Sequence, residues 1–167
     1  MQHPPIILVC QEIFGIHEWI SDVTRRLAHA GAFAVAPDYY FRLGDIAKVS
    51  DTQELMPKVN SKSDAELFAD LDAAVAWAKS QGGDDNRLGV MGFCRGGRGE
   101  ADTGISVEQV HQMEAALKAG GKTSEFHIYP GAPHGFVADY RASYRKEAAE
   151  DAWNRMVGWF KKYKVLS

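Results

Sequence analysis

The hexapeptide Gly92-Phe93-Cys94-Arg95-Gly96-Gly97 follows residues 87–91, a short and mainly apolar run that predicts a buried strand. A strand that ends in Gly-x-nucleophile-x-Gly is the sequence form of a nucleophile elbow, a tight turn that presents the nucleophile above a sheet. The nucleophile here would be the thiol of Cys94. A buried cysteine before a glycine-rich turn would give the same short pattern, so the interpretation depends on the rest of the chain.

Strands and helices are predicted to alternate along the chain. The apolar runs at residues 5–10 and 32–36 predict strands buried on both faces of a parallel sheet, residues 87–93 form the third strand, and residues 125–129 alternate as a fourth. This order predicts a single α/β domain over residues 1–167, a three-layer sandwich with a mainly parallel sheet flanked by helices.

Four helices are predicted between and after these strands. The first spans residues 16–30, and the last spans about residues 144–163. Capping boxes at Ser63-x-x-Glu66 and Ser106-x-x-Gln109 open the other two, which run to about Ser80 and to Gly120-Gly121. An irregular, aromatic-rich loop is predicted from Tyr39 to about Lys62.

Composition argues against several classes of partner. The net charge is −3 and Lys and Arg form no run, so neither nucleic acid nor an anionic membrane is an expected partner. No apolar stretch is long enough to span a bilayer. Cys10 and Cys94 match neither a disulfide framework nor a zinc pattern, and no metal is expected. These features predict a cytoplasmic protein with reduced thiols.

Polar residues follow the predicted strands at the ends where sites gather in parallel sheets. Glu12, Arg42, Cys94 and His134 all come after such an end. A thiol attacks as the thiolate, which a histidine held by a carboxylate can generate. The chain order of Cys94, Asp102 and His134 follows the nucleophile, acid and histidine order of one large class of hydrolytic folds.

Five ordered segments resemble the dienelactone hydrolase family, which has an α/β-hydrolase fold. They are Gln11-Glu12-Ile13-Phe14-Gly15 with His17-Glu18, Ala36-Pro37-Asp38 with Tyr40 and Arg42, the Cys94 hexapeptide, Asp102-Thr103-Gly104-Ile105, and Tyr129-Pro130-Gly131 with His134-Gly135-Phe136. The resemblance implies hydrolysis of a small ester or lactone through an acyl-thioester, with no metal or organic cofactor.

The resemblance also implies a role for each site residue. Cys94 would be the nucleophile, His134 its base and Asp102 the acid that orients the histidine. Glu12 would lie beside the resting thiol and help to convert it to the thiolate. The remaining roles are an oxyanion hole from the backbone N–H groups of Ile13 and Arg95, a carboxylate-binding guanidinium at Arg42, and a pocket wall at Tyr40. His17 is expected to be structural.

Two departures from the family pattern bear on function. The family has a basic residue four positions after the histidine, where this chain has Ala138; Arg141 is a candidate substitute, and a thioester or an unactivated ester is an alternative substrate. The family also carries two helices and two strands between the nucleophile and the acid. This chain has only residues 95–101 there, too few for any of them.

A segment is therefore expected to be missing between Gly97 and Asp102, and the sheet is expected to have fewer strands than in the family. Either the molecule contains a segment that this sequence lacks, or the chain is naturally shortened. A shortened chain would expose a strand edge, which favours a homodimer. It would also leave a second functional hypothesis, a non-catalytic remnant of the fold that binds a ligand or has no activity.

Overall fold

The computed structural model describes residues 3–49, 51–93 and 107–167. These residues form two compact units. The first contains the described residues up to Phe93 together with Met156–Ser167, and the second contains residues 107–155. The elements in chain order are β1 (Pro5–Cys10), α1 (Glu18–His29), β2 (Phe33–Val35), α2 (Thr52–Ser61), α3 (Asp64–Ser80), β3 (Asp84–Gly92), α4 (Val107–Ala119) and α5 (Lys146–Lys162).

The sheet of the first unit has β1 at its centre. Its described strands are parallel in the order β2-β1-β3, with Ile7 of β1 beside Ala34 of β2 and Gly89 of β3. The apolar run of β1 is almost wholly inaccessible to solvent, and Ile6, Ile7 and Val9 have no exposed surface. Burial on both faces explains why this strand is continuously apolar rather than alternating.

Helices pack on both faces of this sheet. Ile6 and Leu8 form a buried cluster with Ala78 of α3 on one face. On the other face, an ideal Cβ at Gly89 would lie 2.9 Å from the Phe160 ring of α5, so this ring packs directly against the β3 backbone. The predicted layered α/β architecture with a small parallel sheet is confirmed. Whether residues 1–167 form one domain stays a prediction.

The helix ends follow local sequence signals. The capping box of α3 is present as predicted, because the Ser63 side chain accepts from the Glu66 backbone and the Glu66 carboxylate accepts from the Ser63 N–H at 3.0 Å. The predicted helices at residues 16–30 and 144–163 are present as the slightly shorter α1 and α5. The capping serine predicted for α4, Ser106, lies outside the described residues.

Two predictions about local structure are wrong. Residues 125–129 were expected to be a strand, but they pair with no strand among the described residues. An alternating segment becomes a strand only when a neighbour completes its hydrogen-bond ladder. The loop expected to be irregular up to Lys62 contains α2, whose N-cap Asp51 accepts from the Gln53 N–H at 2.8 Å.

The tight packing between β1 and the end of α3 gives a stability prediction. A Cβ at Gly83 would lie 2.6 Å from the Ile6 side chain and 3.0 Å from the Ala78 carbonyl oxygen. We expect Gly83→Ala to lower the free energy of unfolding by about 1–3 kcal/mol. Gly158→Ala, within α5 and with no atom within 4 Å of its added Cβ, should instead raise it by about 0.5–1 kcal/mol.

Urea unfolding of both variants measures these changes. Equal effects of the two substitutions would contradict this account of the packing, because the chemical change is the same and only the surroundings differ.

Candidate active site

A buried carboxylate lies just beyond the carboxyl end of β1. Glu12 is 5% exposed, and its Oε2 lies 2.9 Å from Nε2 of His17, in the turn that leads to α1. This distance is that of a hydrogen bond between the two side chains. A buried carboxylate needs such a partner, and this one fixes the orientation of Glu12 at the edge of the sheet where a site is expected.

The carboxyl end of β3 contacts the carboxyl end of β1. The Phe93 N–H donates to the Cys10 carbonyl oxygen at 3.4 Å, and a Cβ at Gly92 would lie 3.1 Å from the Cys10 Cβ. Gly92 therefore lets the two strand ends approach closely. The Phe93 ring packs edge-on against Trp19 of α1 with the ring centroids 6.0 Å apart. The residue that precedes Cys94 is thus held beside the chain that carries Glu12.

Three predicted site residues lie outside the described residues. They are the nucleophile Cys94, the oxyanion donor Arg95 and the acid Asp102. Their roles stay predictions.

The predicted substrate-side residues adjoin a core cluster under the sheet edge. This cluster contains Tyr39, Tyr40 and Leu55, with Cys10 and Ile13 packed against it. Tyr40 is only 8% exposed, and its N–H donates to the Asp38 carboxylate at 3.0 Å. Ile13 and Tyr40, two of the predicted oxyanion and pocket residues, therefore belong to one packed region.

Arg42 lies in a short 3-10 turn, Phe41–Leu43, that extends from this cluster. Its guanidinium donates to the Asp70 carboxylate at 3.2 Å and lies over the Phe41 ring, 4.3 Å from the centroid. The role predicted for Arg42, binding a substrate carboxylate, is not tested by this geometry. The contacts do show that its position is fixed by neighbouring side chains.

Two polar groups near the strand end were missed by sequence reasoning. Gln11 is 7% exposed, and neither its amide oxygen nor its amide nitrogen has a hydrogen-bond partner among the described residues. The Tyr39 hydroxyl has none there either. Burial raises the pKa of the Tyr39 hydroxyl, and the nearby Cys10 thiol acts in the same direction. The position of Gln11 immediately before Glu12 was the available signal.

The predicted base, His134, belongs to the second unit. Its loop begins at Tyr129, whose hydroxyl donates to Asp151 of α5 at 2.6 Å, and whose ring lies 5.1 Å from that of Phe136. Burial and the Asp151 carboxylate raise the pKa of Tyr129 to about 12, so the phenol keeps its proton. Further along, the Arg145 N–H donates to the Phe136 carbonyl oxygen at 3.0 Å. The histidine loop is therefore bonded on both sides of His134.

At the position where the family has a basic residue, this chain has an apolar residue that is also buried. Ala138 is 1% exposed. Arg141, the candidate substitute, donates from Nε to the Tyr140 hydroxyl at 3.2 Å and lies over the Tyr140 ring. Its role toward a substrate stays a prediction.

Metal-binding clusters and membrane-spanning helices are both absent from the described parts of the chain. Residues 3–49, 51–93 and 107–167 contain no cluster of three or more side chains suited to bind a metal ion. Within the same ranges, no helix is both long and apolar enough to cross a membrane.

A parallel sheet with helices on both faces defines an α/β fold, in which ligands bind at the carboxyl ends of the strands. Comparison with known proteins identifies the class further. The sequence profile of the dienelactone hydrolase family matches residues 1–98 and 97–164, and the chain belongs to this family.

Relatives with similar sequences carry related names. The chain is 41% identical to "Putative carboxymethylenebutenolidase" of Methylorubrum extorquens, over 96% of this chain and 73% of that protein. It is 36% identical to the protein of the same name in Escherichia coli, over 95% and 77% of the two chains. The structure matches a crystal structure titled "Putative Dienelactone Hydrolase" from Klebsiella pneumoniae, with a TM-score of 0.91, 37% identity and coverage of 98% and 89%.

These alignments also bear on the segment expected to be missing. The Methylorubrum alignment spans 212 positions but includes only 96% of the 167 residues, about 160, so about 50 positions have no residue of this chain. The family profile matches in two pieces that meet at residues 97 and 98. An absent segment after Gly97 stays a prediction.

Proposed function

We propose that this member of the dienelactone hydrolase family cleaves a small ester or lactone with Cys94 as its nucleophile. The observation that carries the proposal is the arrangement at the two strand ends. The buried, oriented carboxylate of Glu12 follows β1. The backbone N–H of Phe93, one residue before Cys94, donates a hydrogen bond to Cys10 at the end of β1. In this proposal Glu12 takes part in converting the resting Cys94 thiol to the nucleophilic thiolate, and His134 is the base.

The proposed reaction has two halves. His134 takes the proton of the Cys94 thiol, and the thiolate attacks the carbonyl carbon. A C–S bond forms, and the C–O bond to the leaving alkoxide breaks as His134 gives this proton to the alkoxide. Water then attacks the thioester while His134 takes its proton; a C–O bond forms, the C–S bond breaks, and the acid and thiolate are released. The Ile13 and Arg95 N–H groups would stabilise the oxyanion in each half, and Asp102 would orient His134.

The substrate side of the proposal uses Arg42 and Tyr40. The guanidinium of Arg42 would bind a carboxylate on the substrate, and Tyr40 would line the pocket. These groups need no metal or organic cofactor for the proposed chemistry.

Alkylation tests whether hydrolysis depends on this thiol. We expect the protein to hydrolyse p-nitrophenyl acetate and iodoacetamide to abolish that activity with one molecule bound per chain. The Cys10→Ala variant should be inactivated at the same rate, because the Cys10 side chain packs against the core cluster around Tyr39. Full activity after complete alkylation of Cys94 would exclude the proposal.

A further inference from the structure

A partly buried ion pair lies next to Arg42. Lys62, the C-cap of α2, donates from Nζ to Oδ2 of Asp70 at 2.6 Å, and Arg42 donates to Oδ1 of the same carboxylate at 3.2 Å. The Lys62 and Asp70 side chains are only 10% and 17% exposed, whereas that of Arg42 is 61% exposed. One partly buried carboxylate is thus shared between a partly buried cation and a cation that is mostly exposed.

This sharing matters for the charge that Arg42 presents. Two cations and one carboxylate leave a net charge of +1, and the Lys62 and Arg42 hydrogen bonds hold the pKa of Asp70 below its usual range. Without Lys62, the Asp70 charge would fall on Arg42 alone and cancel it. Glu66 also lies near Lys62, but its carboxylate is exposed and bonded to the N-cap Ser63, so solvent screens its charge.

The orientation of Arg42 is fixed from two directions. Asp70 holds one edge of the guanidinium, and the Phe41 ring lies 4.3 Å from it. A guanidinium has five N–H donors in a planar fork that suits a carboxylate. Its exposure therefore leaves a pre-oriented donor surface available to an anion in solution.

The turn that carries Arg42 lies against the strand end described above. Tyr40 and Leu43, on either side of Arg42, belong to or pack against the core cluster that Cys10 and Ile13 also contact. The turn that carries Arg42 therefore packs against the same cluster as residues on either side of Glu12.

We propose that Asp70 and Lys62 are positioning residues that orient Arg42 without cancelling its charge, and so strengthen the binding of a substrate carboxylate proposed for Arg42. This inference rests on the proposed function for the reaction itself. It adds two residues that lie outside the segments shared with the family.

Two esters of matched shape test this effect. Mono-p-nitrophenyl glutarate and p-nitrophenyl pentanoate share the leaving group and the acyl length, and differ in a terminal carboxylate against a methyl group. We expect Lys62→Met to lower the ratio of their kcat/KM values about three- to fivefold by raising KM for the glutarate ester, with the pentanoate ester unchanged. Adding Asp70→Asn to this variant should recover part of the ratio, since the charge at Arg42 returns to +1.

The matched control is Lys79→Met, which removes an exposed lysine of α3 that is paired with Asp85 of β3. It should leave the ratio unchanged. Equal losses with both esters in Lys62→Met, or no recovery in the double variant, would overturn the inference. If Lys62→Met does not fold, the wild-type ratio decides: it should fall about threefold or more toward 1 M KCl, and a constant ratio would exclude charge recognition.

Binding of glutarate separates this inference from the proposed reaction. Calorimetry should detect glutarate binding to the wild-type protein and weaker binding to Lys62→Met, whether or not either ester is hydrolysed. Absence of hydrolysis with this binding pattern would reject the proposed reaction alone. Hydrolysis with glutarate binding equal in the two proteins would reject only the role of Lys62 and Asp70.

Discussion

Cys94→Ala is expected to lower kcat/KM for p-nitrophenyl acetate by about a thousandfold or more, because the substitution removes the atom that would form the acyl intermediate. The alternative nucleophile, water, would have to attack without the covalent step. Stopped-flow or plate assays at saturating and subsaturating ester measure the loss.

Cys10→Ala is the matched control for this prediction. It removes the other thiol of the chain, at the end of β1, and leaves intact the backbone carbonyl that accepts from Phe93. Its kcat/KM should stay within about threefold of wild type. A Cys94→Ala variant that retains more than a tenth of the activity would contradict the assignment of the nucleophile.

His134→Asn is expected to lower the same parameter by about a hundredfold or more, since general base catalysis typically contributes factors of this size. Asparagine has a similar polar end but cannot accept and return a proton at neutral pH. The matched control is His111→Asn on α4, where the histidine is exposed and 3.8 Å from Glu114. That substitution should have little effect.

Combining the two active-site substitutions gives a sharper result. If Cys94 and His134 act as one unit, the double variant should be no slower than Cys94→Ala alone. Losses that multiply would contradict a shared step.

The parts of the fold that were predictable have strong local signals. The central strand β1 is an unbroken apolar run because both of its faces are covered, and α3 begins at a complete capping box. Such signals do not depend on the rest of the chain. The helix α2 has a weaker signal, Asp51 at its N-cap, and its interior includes Pro57.

Residues 125–129 show the opposite case. Their alternation resembles a strand, but pairing depends on a neighbouring strand that can be far away in sequence. In the structure this segment is instead connected to α5 by Tyr129 and by an ion pair between Glu125 and Arg155 at 3.6 Å. No local pattern in the sequence indicates these contacts.

In the candidate site, too, some features were predictable from local sequence and others were not. Glu12 was identified from its motif, but its partner His17 was expected to be only structural, and the hydrogen bond between them needs the turn geometry. Lys62 and Asp70 were also missed, since their relation to Arg42 depends on how α2 and α3 meet the aromatic loop. Motifs locate single residues, whereas the pairs that orient them arise from packing.

The central claim is an acyl-thioester on Cys94, and intact mass spectrometry after brief exposure to p-nitrophenyl acetate tests it directly. The account predicts that the wild-type chain gains the mass of one acetyl group, located on Cys94 by peptide mapping and absent from Cys94→Ala. Hydroxylamine at neutral pH should remove it, as expected for a thioester. A chain with no adduct and no hydrolysis would contradict the account and favour a non-catalytic remnant of the fold.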